Sequence, residues 1–384
     1  MKTLSSRIIC LIIALCLAVS LAACEKSEPD EQAKDSPVLS ACPIIKDEKY
    51  GGIYIDISPE EFENLGFEYG DSVTVAFSNG YTLKDIPYYN GYYTKFHDPL
   101  LVAYPGSQHI RATFNSGNTM WTDSGVTETD TADIIVFEKG KYYALWDGMN
   151  ITYSNDRNDF PSDEVFCNFR CVGTSGVAPG MLYRSASPCS NTYGRAAYTD
   201  RLIKGVGVGF IMDLSDSDEN IEGYIADSGF DSPYFLSLYK DGKVIALSMN
   251  TDYSSEDFAK KTAAGFAAMA HNDGPYLVHC VEGKDRTGFV CLLLEALMGA
   301  SREELTRDYM VTYDNYYGIN PESDTSRYEA NKTKVDEMFE YLSENFGGGS
   351  GDLSLCAEEY LTSFGGMSAD DLALLKARLS GAAG

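Results

Sequence analysis

The chain has 384 residues and carries 57 acidic side chains against 30 basic ones, which gives a formal net charge of −27. This length predicts two domains plus accessory segments. The acidity argues against nucleic acid as a partner, because phosphate backbones need basic surfaces, and it also argues against broad electrostatic docking to anionic lipid.

The first residues have the pattern of an export signal. A short basic region is followed by an apolar stretch, 8–19, that is too short to span a bilayer comfortably. Residues 21–24, Leu-Ala-Ala-Cys, resemble the bacterial lipoprotein box, in which the cysteine is lipidated and becomes the mature N-terminus. We therefore expect a signal peptide over 1–23 and an exported chain anchored through Cys24 to the outer face of a bacterial membrane. An ordinary signal peptide with a chance cysteine, or an uncleaved anchor, would be the alternative.

Polar residues dominate 24–45, which predicts a disordered tether. From 46 to 155, short alternating runs separated by Asn-Gly turns predict strands, and hence a small, mostly β domain with a barrel or sandwich fold. The stretch 77–106 resembles the β-barrel domain at the C-terminus of S-adenosylmethionine hydroxide adenosyltransferases, which implies a fold only. Tyrosines are dense in this domain, and packing between strands explains them better than a binding face does.

The polar stretch 154–163 is the predicted domain boundary. Residues 160–384 change to an α/β texture, with buried parallel strands alternating with helices. We expect a central, mostly parallel sheet flanked by helices. The predicted elements are strands at 207–214 and 276–278 and helices at 255–272, 287–298 and 327–344, with further helices starting at Ser301 and Ser368.

Seven cysteines follow Cys24. Three of them, at 167, 171 and 189, lie close enough in sequence for one disulfide to be possible, and the odd total indicates a free thiol. No paired CxxC and no HExxH occurs. We therefore expect neither a metal nor any other cofactor.

The run His-Cys-Val-Glu-Gly-Lys-Asp-Arg-Thr-Gly, 279–288, lies between a predicted buried strand and a predicted apolar helix. The five residues between Cys280 and Arg286 can wrap into one loop whose N–H groups point at an oxyanion, and the helix adds its positive end. The same field favours the thiolate of Cys280, which can attack phosphorus. Arg286 offers a planar fork that matches two phosphate oxygens.

The remaining loop residues have supporting parts in this prediction. The Thr287 hydroxyl is expected to donate to the Cys280 sulfur, and His279 is expected to position the loop rather than act as a base. Lys284 should raise the positive potential at the mouth and favour highly charged substrates. The residues expected to contact the phosphate are Val281, Glu282, Gly283, Lys284, Thr287 and Gly288.

This loop resembles the CX5R signature of protein tyrosine phosphatases, and Gly-Lys-Asp-Arg-Thr-Gly resembles the bacterial family that also accepts phosphoinositides. The resemblance covers about 165–379 and implies a phosphomonoester hydrolase that forms a cysteinyl-phosphate and acts on phosphotyrosine proteins, on phosphoinositides, or on both. One departure is Ser215, where the family has Arg, which puts a structural ion pair there in doubt. The other matching blocks are 168–170, 182–187, 211–214 and Asp308-Tyr309.

Three aspartates compete for the part of general acid, which protonates the leaving oxygen. Asp285 is the match carried from the family. Asp252 lies upstream at the spacing of a mobile acid loop, and Asp213 ends a predicted strand. For the last two, a solvated turn or a strand-end cap is the alternative.

Three other functions are also compatible with parts of the sequence. An inositol-polyphosphate phosphatase resembling the cysteine-type phytases would need more basic residues around its pocket than this acidic chain offers. A non-catalytic, phosphate-binding surface protein would be expected to lack the loop Cys or Arg, and both are present. A surface adhesin that uses the β domain is the third alternative.

Overall fold

The computed structural model of the chain describes residues 37–382. The predicted signal peptide and the lipidation of Cys24 lie outside the described residues. The predicted tether is wrong from residue 38 on, because Val38–Lys46 forms a strand of the N-terminal domain. Cys42 and Ile44 on this strand are buried in the core while their neighbours are exposed, so this short alternation outweighs the polar composition of the segment.

The N-terminal half is a closed seven-stranded barrel with the strand order β1-β2-β6-β5-β4-β3-β7. All neighbouring pairs are antiparallel except β4 and β5, which run parallel. Closure leaves no strand edge unpaired. The strands are β1 Val38–Lys46, β2 Ile53–Ile55, β3 Ser72–Phe77, β4 Thr82–Tyr89, β5 Pro99–Val102, β6 Ile110–Phe114 and β7 Thr131–Glu138. Its helices are α1 Pro59–Asn64, α2 Met120–Ser124 and α3 Tyr143–Met149.

The second half is built on a five-stranded sheet with the order β11-β10-β12-β9-β8. The four strands from β11 to β9 are mutually parallel, and β8 is antiparallel at the edge. The strands are β8 Arg170–Cys171, β9 Leu182–Ser185, β10 Phe210–Asp213, β11 Val244–Ala246 and β12 Tyr276–His279.

Helices cover this sheet and extend beyond it at the C-terminal end. They are α4 Asp163–Phe166, α5 Ala196–Val206, α6 Asp218–Ala226, α7 Pro233–Lys240, α8 Glu256–Ala270, α9 Asp285–Leu297, α10 Arg302–Tyr317, α11 Thr325–Asn345, α12 Leu353–Glu359 and α13 Ala369–Leu379. The capping box predicted at Ser301 is present at the start of α10, with Glu304 as its second member. Within residues 37–382, no helix is both long and apolar enough to cross a bilayer.

The core of the second half decides where the loop 280–286 lies. Helix α9 is buried from Thr287 to Leu297, so it packs on all sides instead of presenting one apolar face. Strand β12 is the middle strand of the sheet and is buried at every position. The loop between them therefore lies outside the carboxyl end of the central strand, where open α/β sheets bind their ligands.

Candidate active site

The loop from Cys280 to Arg286 makes a tight turn held between two buried elements. Cys280 is 3% exposed. Gly283 has a φ of +70°, and a Cβ on it would lie 2.3 Å from the carbonyl oxygen of Ser185. Only glycine fits both the backbone angle and the close approach. At Gly288 the close approach alone demands glycine, because an added Cβ would lie 2.6 Å from Cε2 of Tyr309.

The carbonyl groups of Glu282 and Gly283 in the loop accept hydrogen bonds from side chains outside the loop. Asn168 Nδ2 donates to the Gly283 oxygen at 3.1 Å, and Arg184 Nη2 donates to the same oxygen at 3.2 Å. The Tyr316 hydroxyl donates to the Glu282 oxygen at 2.7 Å. The backbone N–H groups of residues 281–284, in contrast, donate to no acceptor within the described chain. These N–H groups are therefore available to an oxyanion, as the sequence predicts for a phosphate-binding loop.

A buried ion network supports those outward bonds. Arg184 Nη1 donates to Asp308 Oδ2 at 2.5 Å, and Arg170 Nε donates to Asp308 Oδ1 at 3.0 Å. Burial opposes the charge of this carboxyl, but the two guanidinium groups outweigh it and lower the pKa of Asp308. Arg170 also donates to Asn168 Oδ1 at 2.7 Å. The matching blocks upstream and downstream of the loop thus meet in space as its scaffold.

The two side chains assigned to the phosphate at the end of the loop have different surroundings. Arg286 Nη1 donates to the Met249 carbonyl at 3.0 Å, which fixes one side of the guanidinium. The Thr287 hydroxyl is fully buried and has no hydrogen-bond partner among residues 37–382. The predicted bond from Thr287 to the Cys280 sulfur is therefore wrong for this structure.

Lys284 is turned toward the protein rather than fully into solvent. Its Nζ lies 3.4 Å from the Tyr317 hydroxyl and 4.0 Å from Asp285 Oδ2. Burial opposes the ammonium charge, yet Asp285 and the nearby Glu282 outweigh it, so the pKa of Lys284 rises well above its ordinary value. Lys284 is thus a permanent cation beside the loop, partly neutralised by its acidic neighbours.

Behind the loop lies a fully buried polar cluster. His279 Nδ1 lies 3.3 Å from the Cys280 carbonyl, and His279 Nε2 lies 3.7 Å from Asp213 Oδ2. Asp213 in turn neighbours Cys189 and Asp216, and in the described part of the chain these three form the group whose geometry could hold a metal ion. Desolvation and the charge of Asp213 raise the pKa of Asp216. Within the described part of the chain, no residue assigned to the phosphate belongs to this group.

The three candidate acids differ sharply in exposure. The Asp285 side chain is 56% exposed and stands at the start of α9. The Asp213 side chain is fully buried, and its Oδ1 accepts from the backbone and hydroxyl of Ser215. Asp252 is 14% exposed, and its Oδ1 is bonded to the N–H and hydroxyl of Ser254. The geometry therefore favours Asp285, because its carboxyl is the most exposed of the three and so the most accessible to a leaving group.

The cysteines of the described chain are all unpaired. The disulfide considered among Cys167, Cys171 and Cys189 is therefore not formed in the structure. Burial raises the pKa of Cys167 to about 12, and burial with the charge of Asp213 also raises the pKa of Cys189. Both are therefore inert as nucleophiles.

Sequence reasoning missed three contributors to the site. Tyr316 supports a loop carbonyl, and the Tyr153 hydroxyl donates to the Glu282 carboxylate. Glu295 is buried in α9 near Asp308 and the two arginines that bind it, and desolvation together with the charge of Asp308 raises the pKa of Glu295 well above its ordinary value. Two tyrosines in a tyrosine-rich chain carry no pattern that marks them, whereas an acidic residue within the apolar run 289–297 was a visible signal.

Comparison with known proteins bears on the same region. The sequence model of the tyrosine phosphatase family matches residues 164–381, more than half of the chain. A protein of Cupriavidus necator named "putative tyrosine-protein phosphatase" is 39% identical over 158 residues, which cover 36% of this chain and 55% of that protein. The chain thus spans only about half the length of this relative.

Proposed function

The chain belongs to the tyrosine phosphatase family, and from that membership we propose that it hydrolyses phosphate monoesters through a cysteinyl-phosphate on Cys280. The observation that carries this proposal is the loop itself. Carbonyl groups of the loop accept hydrogen bonds from side chains outside it, while the N–H groups of residues 281–284 donate to no acceptor in the described chain. The loop also lies directly before the N-terminus of α9. Such an arrangement stabilises an anion.

The proposed reaction has two displacements at phosphorus. The Cys280 thiolate attacks, a P–S bond forms, and the P–O bond to the leaving group breaks as Asp285 gives that oxygen its proton. Water then attacks the cysteinyl-phosphate while Asp285 takes up a proton. The P–S bond breaks, and inorganic phosphate and the thiolate are released. Arg286 holds two phosphate oxygens throughout.

We propose phosphotyrosine in proteins as the main substrate class. Phosphoinositides are the second class, suggested by Lys284, and an inositol polyphosphate is the alternative. The acidic neighbours of Lys284 offset part of the attraction that it would offer to a highly charged ring.

The test is the replacement Cys280→Ser, assayed on an aryl phosphate and a phosphotyrosyl peptide. A serine hydroxyl is a poor nucleophile at neutral pH, so turnover should vanish while phosphate binding, measured by calorimetry, survives. The control is Cys291→Ser, since Cys291 is buried within α9 and takes no part in the reaction. Substantial turnover by Cys280→Ser would overturn the covalent mechanism.

We further propose that the protein is exported and anchored to the outer face of a membrane through a lipid on Cys24. Growth of a producing strain with a clickable fatty acid should label the wild-type chain and leave Cys24→Ser unlabelled. Equal labelling of both would exclude this anchor.

A further inference from the structure

A cleft of about 800 Å³ runs between the barrel and the phosphatase half. Tyr50, Tyr92 and Tyr104 belong to its barrel wall. Its other wall includes Tyr253 and the proposed acid Asp285. Because Asp285 belongs to the loop 280–286 and Tyr309 packs against Gly288, this seam cleft borders the proposed active site.

The two walls are held together by the segment between β4 and β5. Phe96 packs edge-on against Tyr253 with ring centroids 4.8 Å apart, and His97 Nε2 lies 3.0 Å from the Ser254 hydroxyl. Tyr253 stacks in turn on Phe289 of α9, at 4.3 Å. The barrel wall is thus packed, through two aromatic contacts, against the helix that starts at the catalytic loop.

The surface of the cleft is aromatic and rich in amides. Tyr50 is 51% exposed and Tyr104 is 46% exposed, whereas Tyr88 and Tyr89 of the same domain are buried. The packing prediction therefore holds for the buried tyrosines and does not account for the exposed ones. Asn118 and the largely buried Asn115 also line the cleft. Exposed tyrosine with asparagine is typical of surfaces that bind polypeptide.

The charges of the cleft decide between possible occupants. Arg111 Nη1 donates to the buried Asp47 at 2.7 Å, and Lys334 lies 3.6 Å from Glu337. Two of the three cations in the lining are therefore already neutralised by carboxylates. A polyphosphorylated inositol would need several unpaired cations, while a polypeptide that carries one phosphate would not.

We propose that the seam cleft binds the polypeptide that flanks a phosphotyrosine, so that the barrel selects phosphopeptides over small phosphate esters. This inference rests on the proposed phosphatase function. The phosphoryl group lies in the loop, and the flanking residues lie along the exposed tyrosines.

The experiment compares Tyr50→Ala and Tyr104→Ala with wild type on two substrates, a phosphotyrosyl peptide and p-nitrophenyl phosphate. We expect kcat/KM for the peptide to fall by about tenfold through KM, the usual loss for an interface tyrosine, with p-nitrophenyl phosphate unaffected. The matched control is Tyr143→Ala, because Tyr143 is 53% exposed on the barrel and lies outside the cleft lining. It should leave both substrates unchanged.

A binding arm separates this inference from the proposed chemistry. In the Cys280→Ser background, the same two tyrosine variants should weaken binding of a labelled phosphotyrosyl peptide by about tenfold. Unchanged peptide binding, or equal losses of kcat/KM on the peptide and on p-nitrophenyl phosphate, would overturn the proposal. Inactivity of the wild type on every ester would instead contradict the proposed phosphatase function. The binding measurement alone would then show whether the seam cleft binds the flanking polypeptide.

Discussion

At the scale of single residues, the loop was readable from the sequence because its chemistry depends on residue types at fixed spacing. Cys280 and Arg286 need one turn between a strand and a helix, and the structure provides it. The burial and hydrogen-bond partners of each side chain could not be predicted from the sequence. The buried, unbonded hydroxyl of Thr287 depends on packing between distant elements, which no local pattern encodes.

The assignment of the acid is also a prediction about single residues. Asp285→Asn should lower turnover of phosphotyrosyl substrates by about 10²–10⁴-fold, the usual size of general acid catalysis. Esters with very good leaving groups need little protonation and should lose much less, which controls for misfolding.

The matched variant is Asp252→Asn, whose side chain is bonded to Ser254 and should be nearly silent in turnover. Steady-state kinetics on esters of graded leaving-group pKa would measure both. If Asp252→Asn showed the loss of turnover that depends on the leaving group, and Asp285→Asn did not, Asp252 and not Asp285 would be the general acid.

At the scale of elements, the sequence predicted the strands and helices that carry a strong hydrophobic pattern. The predicted helices at 255–272 and 287–298 correspond to α8 and α9. The first strand was missed, because a nine-residue run with two buried side chains resembles a polar linker until its partners β2 and β7 are known. Barrel closure is set by such long-range pairing, which a single sequence does not display.

The scaffold behind the loop gives a prediction about stability. Asp308→Asn should lower the free energy of unfolding by about 3–5 kcal/mol, because it leaves Arg170 and Arg184 buried with an uncompensated charge. Asp257→Asn breaks only the exposed pair with Lys261 and should cost less than about 1 kcal/mol. Urea unfolding followed by fluorescence would measure both losses of unfolding free energy. Equal losses would show that the buried network stabilises the fold no more than an exposed ion pair does.

The same network sets a dependence on pH. The pKa of Asp308 is lowered in the folded state, so its contribution to stability is present above the unfolded pKa and is lost as the pH falls through the folded pKa. Unfolding free energies measured from neutral to acidic pH should therefore fall less steeply for Asp308→Asn than for wild type. If the unfolding free energies of wild type and Asp308→Asn fell in parallel with pH, the ion pairs of Asp308 with Arg170 and Arg184 would not lower the pKa of Asp308.

At the scale of the whole molecule, residues of both domains line one cleft, and Asp285 of the catalytic loop is among them. Sequence analysis predicted both domains but treated the barrel as an accessory whose role was open. The contact of Phe96 with Tyr253 joins residues far apart in the chain, so no reading of either domain alone would have found it. In the proposed function, the phosphatase domain carries out the hydrolysis, and both domains together select the substrate.

The most direct test of this account is the chemical identity of the phosphorylated intermediate. Wild-type protein mixed with a phosphotyrosyl peptide, quenched within milliseconds under conditions that preserve a thiophosphate ester, and digested for mass spectrometry should yield phosphate on the peptide that contains Cys280. Asp285→Asn should also form this species from an ester with a good leaving group, and Cys280→Ser should not. Phosphate on any other residue during active turnover, or turnover with no phosphorylated protein at any quench time, would contradict a cysteinyl-phosphate mechanism.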